Sequence, residues 1–291
     1  MRTVIPQLED VSFSSDDIAM ICNGQFADDF FYHIKVLRIT SYLSESPAFP
    51  FGFLQRFYNL EWLGVYDSNF KEISASDDGE EKQKVWTLPK VRELKLRRLY
   101  KIEHLWNEDS PMGHICANLK TLHVWECHSL ISLGSSSASF QNLTTLDVWK
   151  CNGIAELFTF SKVQSLVRLV KMRIRECEMM KQVIGSDDEE ATYSEIFFQK
   201  LECLELDCLQ SLKSFSSGNY SFKFPSLVKV MVSKCPSLKS FCNGALSTPK
   251  LRKVQLKKTK DSVERWAGEL NATLEKLHEE ENGVQFLEEE S

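Results

Sequence analysis

The residues with the clearest capacity for chemistry are His123, Cys127 and His128, because imidazole and thiolate groups at short spacing are typical ligands of Zn²⁺. The repeat pattern described below places Cys127 in a buried column and His123 on the outward face of a strand, so the two cannot share one tetrahedral ion. The chain has no Gly-x-Ser-x-Gly or Cys-x-x-Cys motif, and Asp187 and Asp188 lie in a predicted loop. The sequence therefore predicts no metal site, no cofactor and no catalytic activity.

A second group of residues has the types that bind other proteins. Tryptophan, tyrosine and arginine contribute most of the binding energy in many protein interfaces. Trp125 and Trp149 occupy equivalent positions of two adjacent predicted strands, and strand alternation points both indoles toward solvent. An alternative is that the two tryptophans only pack on each other as a cross-strand pair. The predicted partner-binding residues are Tyr66, Arg97, His123, Trp125, Asp147, Trp149, Arg173, Arg175 and Asp207.

These residues are positioned by a strand pattern of the form Leu-x-x-Leu-x-Leu that recurs ten times. Measured from the middle apolar residue, successive copies are 24 to 32 residues apart. The apolar residues of the ten copies are Leu8, Val11, Phe13; Ile34, Leu37, Ile39; Leu60, Leu63, Val65; Val91, Leu94, Leu96; Leu119, Leu122, Val124; Leu143, Leu146, Val148; Leu169, Met172, Ile174; Leu201, Leu204, Leu206; Leu227, Val230, Val232; and Leu251, Val254, Leu256.

The flanking residues indicate how the copies pack together. Three residues before the strand pattern stands another apolar residue, often Phe, in nine copies, and three residues after it stands Leu or Cys in six copies. One copy cannot bury these side chains alone, but stacked copies can. A step near 20–29 residues with this strand pattern is the signature of the leucine-rich repeat. The predicted fold is therefore an α/β leucine-rich repeat solenoid, with a curved parallel sheet on its concave face and short 3₁₀, irregular or helical segments on its convex face.

The predicted repeat domain covers residues 1–258. Two of the longer steps coincide with acidic segments at 76–82 and 186–190, which we interpret as solvated loops. Residues 259–291 are predicted to form a C-terminal capping helix and an acidic tail. Asp261 followed by Glu264 resembles a helix-capping box, and the helix would cover the last repeat with an apolar stripe of Trp266, Leu270, Leu274 and Leu277.

Composition excludes several classes of protein. The formal net charge of −6 provides no basic field for nucleic acid. The sequence shows no signal peptide in its first thirty residues and no run of 18 apolar residues that would predict a membrane span. Four of the nine cysteines fall in the repeat column that follows the strands, where a thiol acts as a small buried apolar group. A reducing compartment, and hence a cytoplasmic location, is expected.

Several short sequence motifs make the chain similar to one family over nearly its whole length. They are Phe140-Gln-Asn-Leu143, Leu146-Asp-Val-Trp-Lys-Cys151, Phe224-Pro-Ser-Leu227, Cys235-Pro-Ser-Leu-Lys-Ser-Phe241 and the segment from Trp266 to Leu274. The chain resembles the leucine-rich repeat region of plant intracellular immune receptors of the coiled-coil, nucleotide-binding type. The resemblance implies binding of a pathogen effector or host protein and contact with a nucleotide-binding domain. No phosphate-binding Gly-x-x-x-x-Gly-Lys-Ser/Thr loop is present, so nucleotide binding is not implied for this chain.

Other functions for the repeats remain open at this stage. A non-immune scaffold, such as the substrate-recruiting part of a ubiquitin ligase adaptor, would need an F-box-like helical segment, and the seven residues before Leu8 are too few for one. An extracellular repeat receptor would need a signal peptide and paired cysteine caps. Because the first repeat has no capping segment of its own, we expect the chain to be part of a longer polypeptide or a truncated relative of one.

Overall fold

The computed structural model describes residues 8–27, 29–43, 48–74, 90–105, 116–133, 139–185, 195–258 and 261–289. The helices described in full are α1 (Ser15–Cys22), α2 (Phe160–Val163), α3 (Leu270–Glu289) and a 3₁₀ helix at Phe51–Arg56. The strands are β1 (Asp10–Phe13), β2 (Val36–Thr40), β3 (Ala48–Pro50), β4 (Trp62–Ser68), β5 (Glu72–Ser74), β6 (Glu93–Leu99), β7 (Thr121–Trp125), β8 (Thr145–Trp149), β9 (Glu156–Phe158), β10 (Lys171–Arg175), β11 (Gln182–Ile184), β12 (Glu195–Phe197), β13 (Cys203–Asp207), β14 (Ser214–Ser216), β15 (Ser221–Lys223), β16 (Lys229–Ser233), β17 (Ser240–Cys242), β18 (Leu246–Ser247), β19 (Val254–Lys258) and β20 (Asp261–Arg265).

One large sheet forms the concave face of a solenoid. Its strand order is β1-β2-β4-β6-β7-β8-β10-β13-β16-β19-β20, and every pair except the last is parallel. The pairing is in register, so that Leu122, Leu146 and Met172 stand opposite one another on three neighbouring strands. The ten parallel strands coincide with the ten predicted copies of the repeat. The predicted leucine-rich repeat solenoid is therefore confirmed.

The inward side chains of all these strands share one continuous core. Leu122, Leu146 and Met172 are fully buried, and they belong to a single cluster of apolar residues that extends along the described chain from Ile18 to Leu277. Burying an aliphatic side chain of this size contributes about 1.5–3 kcal/mol, so each repeat is stabilised by contact with its neighbours. The acidic segments at 76–82 and 186–190 lie outside the described residues.

The convex face is built from shorter elements. Parallel strands β9, β11, β14 and β17 form a second sheet, β12, β15 and β18 form a third, and β3 pairs with β5. Phenylalanines fill the space between these strands and the concave sheet. Phe215 is the centre of this group, with its ring stacked on Phe241 at 4.3 Å. These convex elements are short, two or three residues each, as the sequence predicted for this face.

The cysteine column lies in the core, as the sequence predicted. The Sγ atoms of Cys127, Cys151 and Cys177 each donate to the carbonyl oxygen two residues earlier, at 3.4 to 3.5 Å. Burial raises the pKa of Cys177 to about 11 and that of Cys235 to about 12. All nine cysteines are free thiols, so those in the column act as buried, uncharged packing groups.

The C-terminal end differs from the prediction. Asp261 and Glu264 do not begin a helix, because Asp261–Arg265 is strand β20, which pairs antiparallel with β19. The open edge of the concave sheet presents backbone groups that need hydrogen-bond partners, and this requirement outweighs the local capping signal. Helix α3 starts at Leu270. Leu270, Leu274 and Leu277 are buried in the core as expected, whereas Trp266 precedes the helix and is half-buried.

Asn271 closes the edge of the second sheet. Its Oδ1 accepts hydrogen bonds from the backbone N–H groups of Phe241 at 2.7 Å and Cys242 at 3.3 Å, and its Nδ2 donates to the Cys242 carbonyl at 3.1 Å. The amide side chain thus provides the contacts that a further parallel strand would make with β17. Among the described residues, none of the helices combines the length and apolarity needed to span a membrane.

A column of left-handed backbone follows the concave strands. Each of its residues has φ between +50° and +55°, and none is glycine or asparagine. The Glu126 N–H donates to the Trp149 carbonyl at 2.8 Å, and the Lys150 N–H donates to the Arg175 carbonyl at 3.0 Å, so the turn continues the hydrogen bonding between repeats. The column comprises Ser41, Asp67, Arg98, Glu126, Lys150, Glu176, Cys208 and Lys234.

We expect Lys234→Gly to stabilise the protein by about 0.5–1 kcal/mol. The left-handed conformation costs a residue with a Cβ about 1–2 kcal/mol, and the greater chain entropy of glycine removes about 0.5–1 kcal/mol of that gain. Lys229→Gly is the matched control, since Lys229 is an exposed residue of the adjacent extended strand, where glycine should destabilise. Urea unfolding followed by circular dichroism would measure both changes. Equal destabilisation by the two glycines would contradict the assignment of strain to position 234.

Candidate partner-binding surface

The concave face presents three outward positions on each strand, at alternate residues. In β7 they are Thr121, His123 and Trp125, and the parallel register aligns equivalent residues of neighbouring strands into three columns. The nine predicted partner-binding residues lie in two of these columns on six adjacent strands, so the structure brings them together on one surface. Eight of the nine are half-buried by their neighbours, and Asp147 is buried with 3% of its surface exposed.

Trp125 and Trp149 form the centre of this surface. Their rings meet edge to face with centroids 6.0 Å apart, a favourable geometry for aromatic pairs. The Trp149 Nε1 donates to Glu176 Oε1 at 3.0 Å, and Lys150 Nζ lies 4.8 Å from the centre of the Trp149 ring. The hydrogen bond from Trp149 lowers the pKa of Glu176. The two indoles do pack on each other, yet both keep part of their surface open to solvent.

Asp147 organises the polar side of the tryptophan pair. Both of its carboxylate oxygens accept from Arg175 Nη2, at 3.0 and 3.2 Å, and its Oδ2 lies 3.6 Å from His123 Nδ1. Burial alone would raise the pKa of this carboxyl group, but the contacts with His123 and Arg175 outweigh that effect and lower it. Asp147 therefore holds Arg175 and His123 in place and offers almost no surface of its own to a partner.

The other arginines are held by carboxylates as well. Arg97 Nη2 lies 2.9 Å from Glu126 Oε1, and Arg173 Nε lies 3.1 Å from Glu205 Oε2. Each guanidinium keeps about a third of its side-chain surface exposed. Such pairs fix the orientation of a long side chain and leave the planar group available for further contacts.

Tyr66 and Asp207 lie at opposite ends of the surface. Desolvation raises the pKa of Tyr66, whose ring packs beside Gly64. Asp207 accepts a hydrogen bond from the Cys208 thiol at 3.5 Å. The surface thus changes along the solenoid from aromatic and cationic groups at β4, β6 and β7 to mixed charges at β10 and β13.

Two residues of this surface are missing from the predicted set. Trp62 lies two residues before Gly64 on β4, in the third outward column, and Arg38 lies over its ring at 5.2 Å. Lys95 lies over the Trp125 ring with its Nζ 4.0 Å from the ring centre. Alternation along the strand could have identified Trp62, because it shares a face with Gly64 and Tyr66. The position of the Lys95 side chain over Trp125 had no signal in the sequence.

The metal-ligand candidates are separated in space. The Cys127 Sγ donates to the Trp125 carbonyl within the core, His123 contacts Asp147 on the concave face, and His128 is exposed. Within the part of the chain that the structure describes, no three His, Cys, Asp or Glu side chains are grouped as metal ligands would be.

Comparison with known protein families identifies the repeats. A family model described as "Plant disease resistance protein RPS2-like, leucine-rich repeats" matches residues 7–139 and 134–260. These two segments include all ten parallel strands of the concave sheet and every residue of the candidate surface. No curated protein matches the chain.

Proposed function

The chain belongs to the RPS2-like leucine-rich repeats of plant disease resistance proteins, and from this premise we propose that it is the recognition module of a plant immune receptor. It binds a pathogen effector or a host protein through the concave face. The residues that make contact are the aromatic and arginine side chains of the candidate surface, and Asp147 keeps Arg175 and His123 oriented for it. The module acts by binding alone.

One observation carries this proposal. Trp125 and Trp149 are large apolar side chains that remain partly exposed on neighbouring strands, whereas the inward residues of the same strands are fully buried. Aromatic and arginine side chains that are already ordered lose little conformational entropy when a partner binds, and they are the residue types found at interface hot spots. The edge-to-face packing of the two rings supports this role, because it holds them in a fixed orientation.

The proposal extends to the setting in which the module works. We infer a cytoplasmic location, supported by the nine free thiols, since a secreted protein with as many cysteines would form disulfides. A nucleotide-binding domain of the same receptor is a further partner that the family relationship favours. Expression of the chain with a fluorescent tag in leaf cells, followed by fractionation, tests the location.

We expect Trp149→Ala to abolish capture of the partner while lowering the free energy of unfolding by about 2–3 kcal/mol, because the ring contact with Trp125 and the hydrogen bond to Glu176 are lost. The chain would be used to capture proteins from pathogen-treated leaf tissue, with bound proteins identified by mass spectrometry. Tyr58→Ala is the control, because Tyr58 is an exposed aromatic residue outside the candidate surface. A partner retained by Trp149→Ala, together with a large drop in melting temperature, would favour the view that the tryptophans only stabilise the fold.

A further inference from the structure

Gly64 allows two aromatic rings to pack directly on the backbone of β4 at the edge of the candidate surface. Trp62 and Tyr66 flank Gly64 on the same strand, and their rings close over it. A Cβ at position 64 would lie 2.6 Å from the Trp62 ring and 2.6 Å from the Tyr66 hydroxyl oxygen. Without a side chain at this position, the Tyr66 hydroxyl is held directly above the strand.

Lys95 is the neighbour of Gly64 on the next strand. Its ammonium lies 4.0 Å from the centre of the Trp125 ring, and among the described residues no carboxylate lies within ion-pair distance of it. The arginines around it differ in this respect, because Arg97 pairs with Glu126 and Arg175 pairs with Asp147. Lys95 is thus a cation held by an aromatic ring rather than by an acid.

The electrostatic surroundings of Lys95 disfavour its charge. Desolvation has the largest effect and the positive charge of Arg97 the next, and together they lower the pKa of Lys95. Glu93 and Asp147 act in the opposite direction, but their effects are smaller. A negative group placed beside the ammonium would offset both of these effects, because an opposite charge favours the charged form of the lysine.

Among the described residues, two hydrogen-bond donors near Lys95 lack an acceptor. The Trp125 Nε1 is buried without an acceptor, and the Tyr66 hydroxyl has no hydrogen-bond partner among the described residues. The wider face has the same preference for acceptors. In the three outward columns from Val36 to Ser233, seven lysines and arginines stand against four carboxylates, although the whole chain carries a net charge of −6. The field of this face attracts acidic groups.

We propose that the group formed by Tyr66, Lys95 and Trp125 binds an aspartate or glutamate side chain of the partner protein, as part of an acidic segment that lies on the concave face. This inference rests on the proposed function and specifies the chemistry of its partner. The carboxylate accepts from the Lys95 ammonium and the Tyr66 hydroxyl, and the rings of Trp62 and Trp125 contact the methylene groups of the acidic residue and its apolar neighbours. Glu93 at the rim favours a basic segment, but Arg97 and Lys95 together repel one.

The test uses a phage-displayed library of random twelve-residue peptides, selected on the full chain. Because displayed peptides are fused at their C-terminus, any acidic preference comes from Asp or Glu side chains rather than from a terminal carboxylate. We expect recovered peptides to share one acidic position next to an apolar residue. Isothermal titration should show that Lys95→Met, which keeps most of the aliphatic chain, weakens binding about tenfold and that Lys95→Glu weakens it about a hundredfold.

A double-mutant cycle makes the assignment specific. Changing the acidic residue of the peptide to its amide should also cost about tenfold with the native chain, but nothing further with Lys95→Met, since the two changes remove one interaction. Lys239→Glu is the matched control, because Lys239 is an exposed lysine on the convex side. The affinity of the Lys239→Glu variant for the peptides should equal that of the native chain.

The possible outcomes separate this inference from the proposed function. Peptides that need Trp125 but show no acidic preference, or whose acid acts independently of Lys95, would overturn the inference and leave the concave face as the binding surface. A selection that yields no peptide weakened by Trp125→Ala would contradict both. Circular dichroism of each variant identifies any loss of binding that follows from misfolding.

Discussion

Replacing Phe215 by alanine is expected to lower the free energy of unfolding by about 3–5 kcal/mol, the usual cost of truncating a buried phenylalanine. Phe215 lies on β14, and its side chain is fully buried. It stacks on Phe241 at 4.3 Å with an interplanar angle of 11°, and the rings of Phe222 and Phe224 lie 5.8 and 6.3 Å away. The cavity would therefore lie among rigid rings that cannot collapse into it.

Phe197→Ala is the matched control for this change. Phe197 is the same residue type on the neighbouring convex strand β12, but half of its surface is exposed. The control should change the free energy of unfolding by less than about 1 kcal/mol. Urea titrations followed by circular dichroism and by tryptophan fluorescence would compare the two variants with the native chain. A similar small effect of both substitutions would show that the convex phenylalanines do not form a packed core.

Asp147→Asn is expected to destabilise the fold by about 2–3 kcal/mol at pH 7, since charge-assisted hydrogen bonds to a buried carboxylate are lost and the donors remain. Arg175 would keep its charge on the concave face without the two carboxylate oxygens that accept its hydrogen bonds. His123 would lose its 3.6 Å contact with the Asp147 carboxylate. The comparison is Glu195→Gln, which removes a carboxylate paired with Lys223 at 2.7 Å where both side chains are about half exposed. That exposed pair should contribute less than about 1 kcal/mol.

Asp147→Asn should also change the way in which the free energy of unfolding depends on pH. The pKa of Asp147 is lower in the folded protein than in the unfolded chain. Its contribution is therefore fully present above the unfolded pKa, near 4, and is lost as the pH falls through the folded pKa. Below about pH 4 the native chain should lose stability more steeply than Asp147→Asn as the pH falls. Parallel curves for the two proteins would mean that Asp147 makes no net favourable contacts in the fold.

Much of the fold was predictable because the repeat imposes its own register. Leu122, Leu146 and Met172 occupy equivalent places in their copies, and parallel pairing puts them side by side. The end of the solenoid was less predictable. Asp261 and Glu264 give a local helix signal, but the open edge of β19 provides hydrogen-bond partners for a strand. A local sequence pattern contains no information about the unpaired backbone groups of another strand.

The candidate surface was predictable to the level of its columns but not of its contacts. Alternation correctly placed Trp125 and Trp149 on the concave face. It could not show that Asp147 is covered by Arg175, because the conformations of long side chains depend on their neighbours across strands. The left-handed backbone had no signal either, since Lys150 and Glu176 are not residues that favour positive φ.

The in-register columns have a consequence for how such a chain can diversify. On the concave strands, outward residues alternate with residues that maintain the core. Inserting one residue into a strand would exchange the two sets and place charged groups in the interior. Duplication or loss of a whole coil, in contrast, adds or removes one row of the concave surface and leaves every other row unchanged. New specificities should therefore arise by point changes in the outward columns or in steps of an entire coil.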